Sequence, residues 1–141
     1  MTTRYPLVLN STAIQEMQAG DTLLLPSGNP LTNPTITNYT ETPYTANSST
    51  AITLALTNGT VQIITLTGNA TITMPTAVSG KSFTLLLKQD ATGSRTVTWS
   101  TVSWPGGTAP TITSTASKLD KYVFISDGTS WFGSTAGQAY T

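Results

Sequence analysis

The chain has 141 residues, six basic and six acidic side chains, zero net charge, and neither histidine nor cysteine. This composition excludes thiolate and imidazole metal sites, disulfide frameworks, and nucleophiles that depend on a His base or a Cys thiol. The cations Arg4, Lys81, Lys88, Arg95, Lys118 and Lys121 are too scattered to make the basic stripe that nucleic acid needs, and with 9% charged residues little repulsion opposes self-association.

In chain order, Tyr5–Leu9 predicts a short strand. The next segment, Ala13–Met17, fits either a helical turn capped by Ser11 or Thr12 and ended by Gly20, or a strand. Thr22–Leu25 reads as strand. MTTRYPLVLNST lacks the apolar run of a signal peptide, and no segment approaches the roughly 20 apolar residues of a membrane span. A soluble protein without a conventional export signal is therefore expected, with no membrane partner.

From Pro26 to about Ser49 the character changes. Pro26, Pro30, Pro34 and Pro43 sit among Asn, Thr and Ser, which forbids helix and central strand and favours extended backbone. The segment is either a surface linker or an arm laid across a neighbouring subunit, with Leu31, Ile36, Tyr39 and Tyr44 as apolar anchors for a partner. The predicted organisation is thus residues 1–49 as N-terminal segment and extended arm, and 50–141 as an all-β domain, an antiparallel β-sandwich or jelly roll.

Within that domain, Ala51–Leu56 and Val61–Leu66 flank Asn58-Gly59, the dipeptide that most strongly signals a two-residue hairpin turn. In Val61–Leu66 the apolar residues fall in both phases, predicting a bulge or two-sided burial. Ala70, Ile72 and Met74 alternate with Thr71 and Thr73 until Pro75; Phe83, Leu85 and Leu87 form another inward row, and Val97 and Trp99 follow the turn Asp90–Ser94. Asp127-Gly128 marks a second hairpin between Tyr122–Ser126 and Ser130–Phe132. Threonine is the commonest residue and suits the outer face of strands. Its Thr-x-Thr units are irregularly spaced, which argues against a solenoid with a threonine ladder.

Little here points to catalysis. A glycosidase needs two carboxylates about the sugar bond, whereas Asp90 and Asp127 fall in predicted turns, Asp120 lies between Lys118 and Lys121, and Glu41 is in the arm. Such positions suit turn chemistry and solvation. No catalytic residue, metal ligand or cofactor site is assigned, and the protein is expected not to be an enzyme. The rings of Trp99, Trp104, Trp131, Tyr122 and Tyr140 offer stacking surfaces for sugar; Trp104, beside Pro105-Gly106-Gly107, is the ring expected to be exposed and to bind glycan. The sequons at Asn10, Asn38, Asn47, Asn58 and Asn69 are read as incidental in so Ser- and Thr-rich a chain.

GKSFTLLLKQDATGSRTVTWSTVSWPGGTAP, then TITSTASKLDKYVFISDGTSWFGSTAGQAY, reads as strand, turn, strand, Trp-Pro-Gly-Gly loop, strand, hairpin and small-residue tail. That order resembles the small all-β modules of tailed-bacteriophage virion proteins, found at tail-fibre ends and on capsid surfaces. RYPLVLNSTAIQEMQAGDTLLLP is similar to opening segments of phage fibre and appendage proteins, where the segment joins the module to the particle. The resemblance implies a structural virion protein. A short opening, an arm and one β-domain, with no long shaft, favour a capsid decoration (cement) protein: a homotrimer that clamps neighbouring major capsid proteins. The alternative is a tail-fibre or appendage tip that binds a host surface glycan through Trp104. An ordinary bacterial carbohydrate-binding module ranks third.

Overall fold

The computed structural model describes residues 7–10, 13–16 and 34–141. The chain divides into two compact units, Met1–Asn38 and Tyr39–Thr141. In the first, β1 (Leu7–Asn10) and β2 (Ala13–Glu16) pair antiparallel, Leu7 opposite Glu16. Of the two forms open for this segment, the strand is adopted over Ala13–Glu16. The expected strand Thr22–Leu25 and the proposed anchor Leu31 lie outside the described residues.

The second unit begins at Tyr39, upstream of the boundary expected near Thr50. Its strands are β3 (Tyr44–Ser48), β4 (Ala51–Thr53), β5 (Val61–Leu66), β6 (Ala70–Thr73), β7 (Ser82–Gln89), β8 (Val97–Ser100), β9 (Val102–Ser103), β10 (Leu119–Ser126) and β11 (Trp131–Tyr140). They form a six-stranded sheet in the order β3-β5-β7-β10-β11-β9 and a three-stranded sheet, β4-β6-β8. Both face one core, so the unit is all-β with two layers, as the alternating patterns predict. Gln62, Ile64 and Leu66 point inward from β5, Phe83, Leu85 and Leu87 from β7, and Ala70, Ile72 and Met74 from the β6 segment. Each large apolar side chain so buried stabilises the fold by about 1.5–3 kcal/mol.

The pairing is not antiparallel throughout. β3, β5 and β7 are mutually parallel, as are β4, β6 and β8. Three successive coils therefore each place one strand in each sheet, β3–β4, β5–β6 and β7–β8, and stack as in a solenoid. Facing residues are 18 apart between the first and second coils (Tyr44 with Gln62) and 23 between the second and third (Val61 with Thr84). The corner loops lengthen from coil to coil, which erases the fixed period that a sequence search for repeats requires. Irregularly spaced threonines are nevertheless brought into line, Thr53 beside Thr73 and Thr71 beside Thr98, all exposed on the outer face of the smaller sheet.

The Asn58-Gly59 hairpin does not form. Ala51–Thr53 and Val61–Leu66 belong to different sheets, and a 3-10 turn at Leu56–Asn58 carries the chain between them. Gly59 does take a positive φ of 105°, so the dipeptide marks the turn correctly but not the partner of its strands. Leu54, only 1% exposed, leaves the run to enter the core, and Gln62 Nε2 donates to the Ala55 and Gly59 carbonyls at 3.0 and 3.1 Å. β5 pairs without interruption, its outward Val61 and Ile63 half-buried, so of the two expectations the two-sided apolar strand holds and the bulge does not.

The second hairpin signal succeeds. β10 and β11 pair antiparallel with Ser126 opposite Trp131, and Gly128 has φ 102° in the connection. β10 also pairs antiparallel with β7 and closes the stack of coils. The small-residue tail is strand, since β11 runs to Tyr140.

Candidate ligand-binding site

An aromatic cluster fills the end of the core where the third coil meets the β10–β11 hairpin. Trp99 lies edge-on to Trp104 and to Tyr122 with centroids 5.2 Å apart in each case, and Phe83 stacks on Phe124 at 4.9 Å. Trp131 Nε1 donates to the Pro75 carbonyl at 2.7 Å. Alternation places Trp99 on the inner face of β8, while Gly133 opposite leaves room for the Trp104 ring. A Cβ at Gly133 would lie 2.7 Å from that ring and 2.9 Å from Phe124.

Trp104 is thus 9% exposed, which corrects the expectation of a solvent-facing stacking ring. Its position beside Pro105-Gly106-Gly107 suggests a loop tip, but the glycines turn the chain with φ 70° and 74° while the indole folds back into the core. Of the five candidate rings, Tyr122 and Trp131 are also buried, Trp99 is half-buried, and Tyr140 is exposed.

Above this cluster lies an open recess of about 670 Å³, walled by β8, the Thr101 bend, β9, the Trp104 turn and the Thr129–Ser130 end of the hairpin connection. Five of its lining side chains carry hydroxyls (Thr98, Thr101, Ser103, Thr129 and Ser130), and none is ionisable. Thr101 takes φ 52°, a left-handed conformation costly for a β-branched residue, where the chain leaves the smaller sheet for the edge of the larger. Trp99 Nε1 and Trp104 Nε1 are buried with no acceptor among the described residues. Sequence reading missed the recess because its hydroxyls come from two separate stretches, 98–103 and 129–130, that only the third coil and the hairpin bring together.

The three described anchor positions of the arm divide by exposure. Ile36 and Tyr39 are 59% and 69% exposed. Tyr44 opens β3 and packs half-buried against the core, so it belongs to the domain. Glu41 accepts a hydrogen bond from Thr60 Oγ1.

The carboxylates are mostly structural. Asp90 accepts from the Thr92 and Gly93 amides and pairs with Arg95 at 2.8 Å, contacts that hold its pKa below the usual range, the Arg95 bond foremost. Asp127 caps its turn through the Ser130 and Thr129 amides, which likewise lower it. Asp120 departs from the expected solvation: it is 2% exposed and accepts from the Thr113 and Ala139 amides, Tyr122 OH and Gln138 Nε2 at 2.7–3.3 Å. Burial pushes its pKa up, but the donors of Thr113, Ala139 and Gln138 outweigh it and hold the group low. Tyr122 is driven well above its ordinary value by burial and by that carboxylate. Among the described residues no three His, Cys, Asp or Glu side chains gather as a metal site.

A family model described as "Putative phage tail fibre C-terminal domain" matches residues 42–131, more than half of the chain. The chain belongs to that family. The tail-fibre domain so delimited opens two residues before β3, contains all three coils and every residue lining the recess, and reaches the first residue of β11. No curated protein and no solved structure matched the chain. The protein is therefore a tailed-phage virion β-protein, as its turn and strand order suggested. The family speaks for the tail-fibre alternative over capsid decoration, the reading favoured by a short opening, an arm and one β-domain.

Proposed function

We propose that this protein is a tail-fibre end module that meets a host surface glycan and binds it without cleaving it. The observation that carries the reading is the tail-fibre family match across all three coils. The uncharged, hydroxyl-lined recess supports a binding role, since sugars are held by hydroxyl networks over apolar walls. A catalytic role lacks support from the acids, because Asp90, Asp120 and Asp127 are each committed to turns or to packing.

The module acts as a homotrimer in this reading. Trimerisation rests on the resemblance, and the outward face of the six-stranded sheet is suited to it: Val123, Ile125 and Phe132 are exposed there beside half-buried Val61, Ile63 and Leu86. Ile36 and Tyr39 are further apolar contacts for a neighbouring protomer or for the rest of the tail. Quantitative mass spectrometry of purified particles tests the location. A few copies per particle are expected; a ratio near one per major capsid protein would return the decoration reading.

A further inference from the structure

We infer that the recess over Trp99 and Trp104 selects a neutral sugar residue, a hexose or N-acetylhexosamine, and rejects anionic ones. The inference rests on the glycan-binding reading and narrows its ligand class. The volume, about 670 Å³, suits a single ring with part of its neighbours, within the range of about 300–1,000 Å³ usual for ligand sites.

Charge decides the class. A uronate, sialate or phosphate entering the recess sheds water, and an anion that loses hydration without gaining a counter-charge is disfavoured. Among the described residues no Lys or Arg lines the walls. Arg95 is engaged by Asp90. The charge in the turn that supplies Thr129 and Ser130 is the Asp127 carboxylate, and it is negative: its Oδ1 accepts from both of their amides at 2.8 Å. The field at that wall therefore opposes a second anion. A neutral sugar meets no such cost, because each threonine or serine hydroxyl both donates and accepts, as sugar hydroxyls do.

The floor points the same way. Trp104 is more than nine-tenths buried and lines the recess, yet its Nε1, like that of Trp99, has no acceptor among the described residues. Both indoles are neutral, so the floor, like the walls, offers an anion no counter-charge. Val97, Val102 and Ala109 add apolar wall for the C–H face of a pyranose.

The test uses the full chain on an array of bacterial surface polysaccharides that includes neutral, uronate-bearing and phosphate-bearing members. Retention on neutral members is expected, weakened roughly tenfold or more by Thr129→Trp, which fills the recess from an exposed position. Thr98→Lys, also exposed, should admit anionic members that the parent refuses. Circular dichroism and indole fluorescence confirm that each variant is folded. Preference of the parent for anionic members would overturn the neutral-sugar inference and leave glycan binding standing. Neutral binding unaffected by Thr129→Trp would overturn the assignment to this recess. Retention on no member would overturn the glycan reading itself.

Discussion

Asp120 sits at an irregularity in the β10–β11 register, between Leu119 and Lys121, with its carboxylate turned inward. Four donors from the 113 segment, β10 and the end of β11 converge on it, so one side chain ties the loop before β10 to the last strand. Replacing it with Asn puts an amide nitrogen against some of these donors and should destabilise the unit by about 2–3 kcal/mol in denaturant unfolding. Its folded pKa lies below the unfolded value, so its contribution is complete above about pH 4 and is lost as pH falls through the folded value. Melting temperatures measured from neutral pH into acid should fall less steeply for Asp120→Asn than for the parent. Asp90 and Asp127, also lowered, keep the remaining slope. Gly133→Ala belongs to the same scale: its Cβ meets Trp104 at 2.7 Å, and overpacking of this kind costs about 1–3 kcal/mol.

Besides the parallel ladders of both sheets, hydrogen bonds at the corners join the coils. Thr67 N donates to the Ser48 carbonyl and Thr71 N to the Thr50 carbonyl, both at 2.9 Å, joining the first coil to the second. Asn69 Oδ1 accepts from Thr96 N at 3.0 Å and Ala70 N donates to the Thr96 carbonyl, joining the second to the third. Asn69 thus has a structural use that its place in a sequon does not announce. At Gly68 an added Cβ would overlap the Ser49 carbonyl oxygen, so Gly68→Ala should prise the first corner away. The first coil is also the outermost of both sheets. Hydrogen exchange should show its amides opening before those of β5 and β7, and Gly68→Ala should widen that gap. Equal protection of β3 and β5 in the variant would show that the corner does not control docking of the coil.

For the whole molecule the informative contrast is between the two outer sheet faces. The smaller sheet presents threonine hydroxyls, whereas the larger presents Val123, Ile125 and Phe132, with Ile125 directly opposite Phe132 on adjacent strands. Zero net charge and few charged residues leave that apolar face free to associate. In the proposed homotrimer, Ile125→Lys together with Phe132→Lys should shift sedimentation toward the monomer while the far-ultraviolet spectrum is unchanged. A variant that still sediments as a trimer would place the interface elsewhere. Because the recess lies among β8, β9 and the hairpin connection, its lining shares no residue with this face, so monomeric variants should keep intrinsic glycan affinity and lose avidity.

The sequence by itself determined the all-β class, the inward rows of β6 and β7, the Asp127-Gly128 hairpin, and the chain's likeness to phage virion modules. These rest on neighbours: a period of two fixes which face a residue takes, and turn residues fix where the chain reverses. Only the tertiary structure decided which strands pair. Asn58-Gly59 permits a reversal, but the larger burial comes from stacking β5 beside β3 and β7 and sending β4 to the other sheet. The burial of Trp104, the burial of Asp120 and the recess itself were likewise decided by the tertiary structure. They depend on contacts among segments far apart in the chain, whose corner loops differ in length and so leave no period to read.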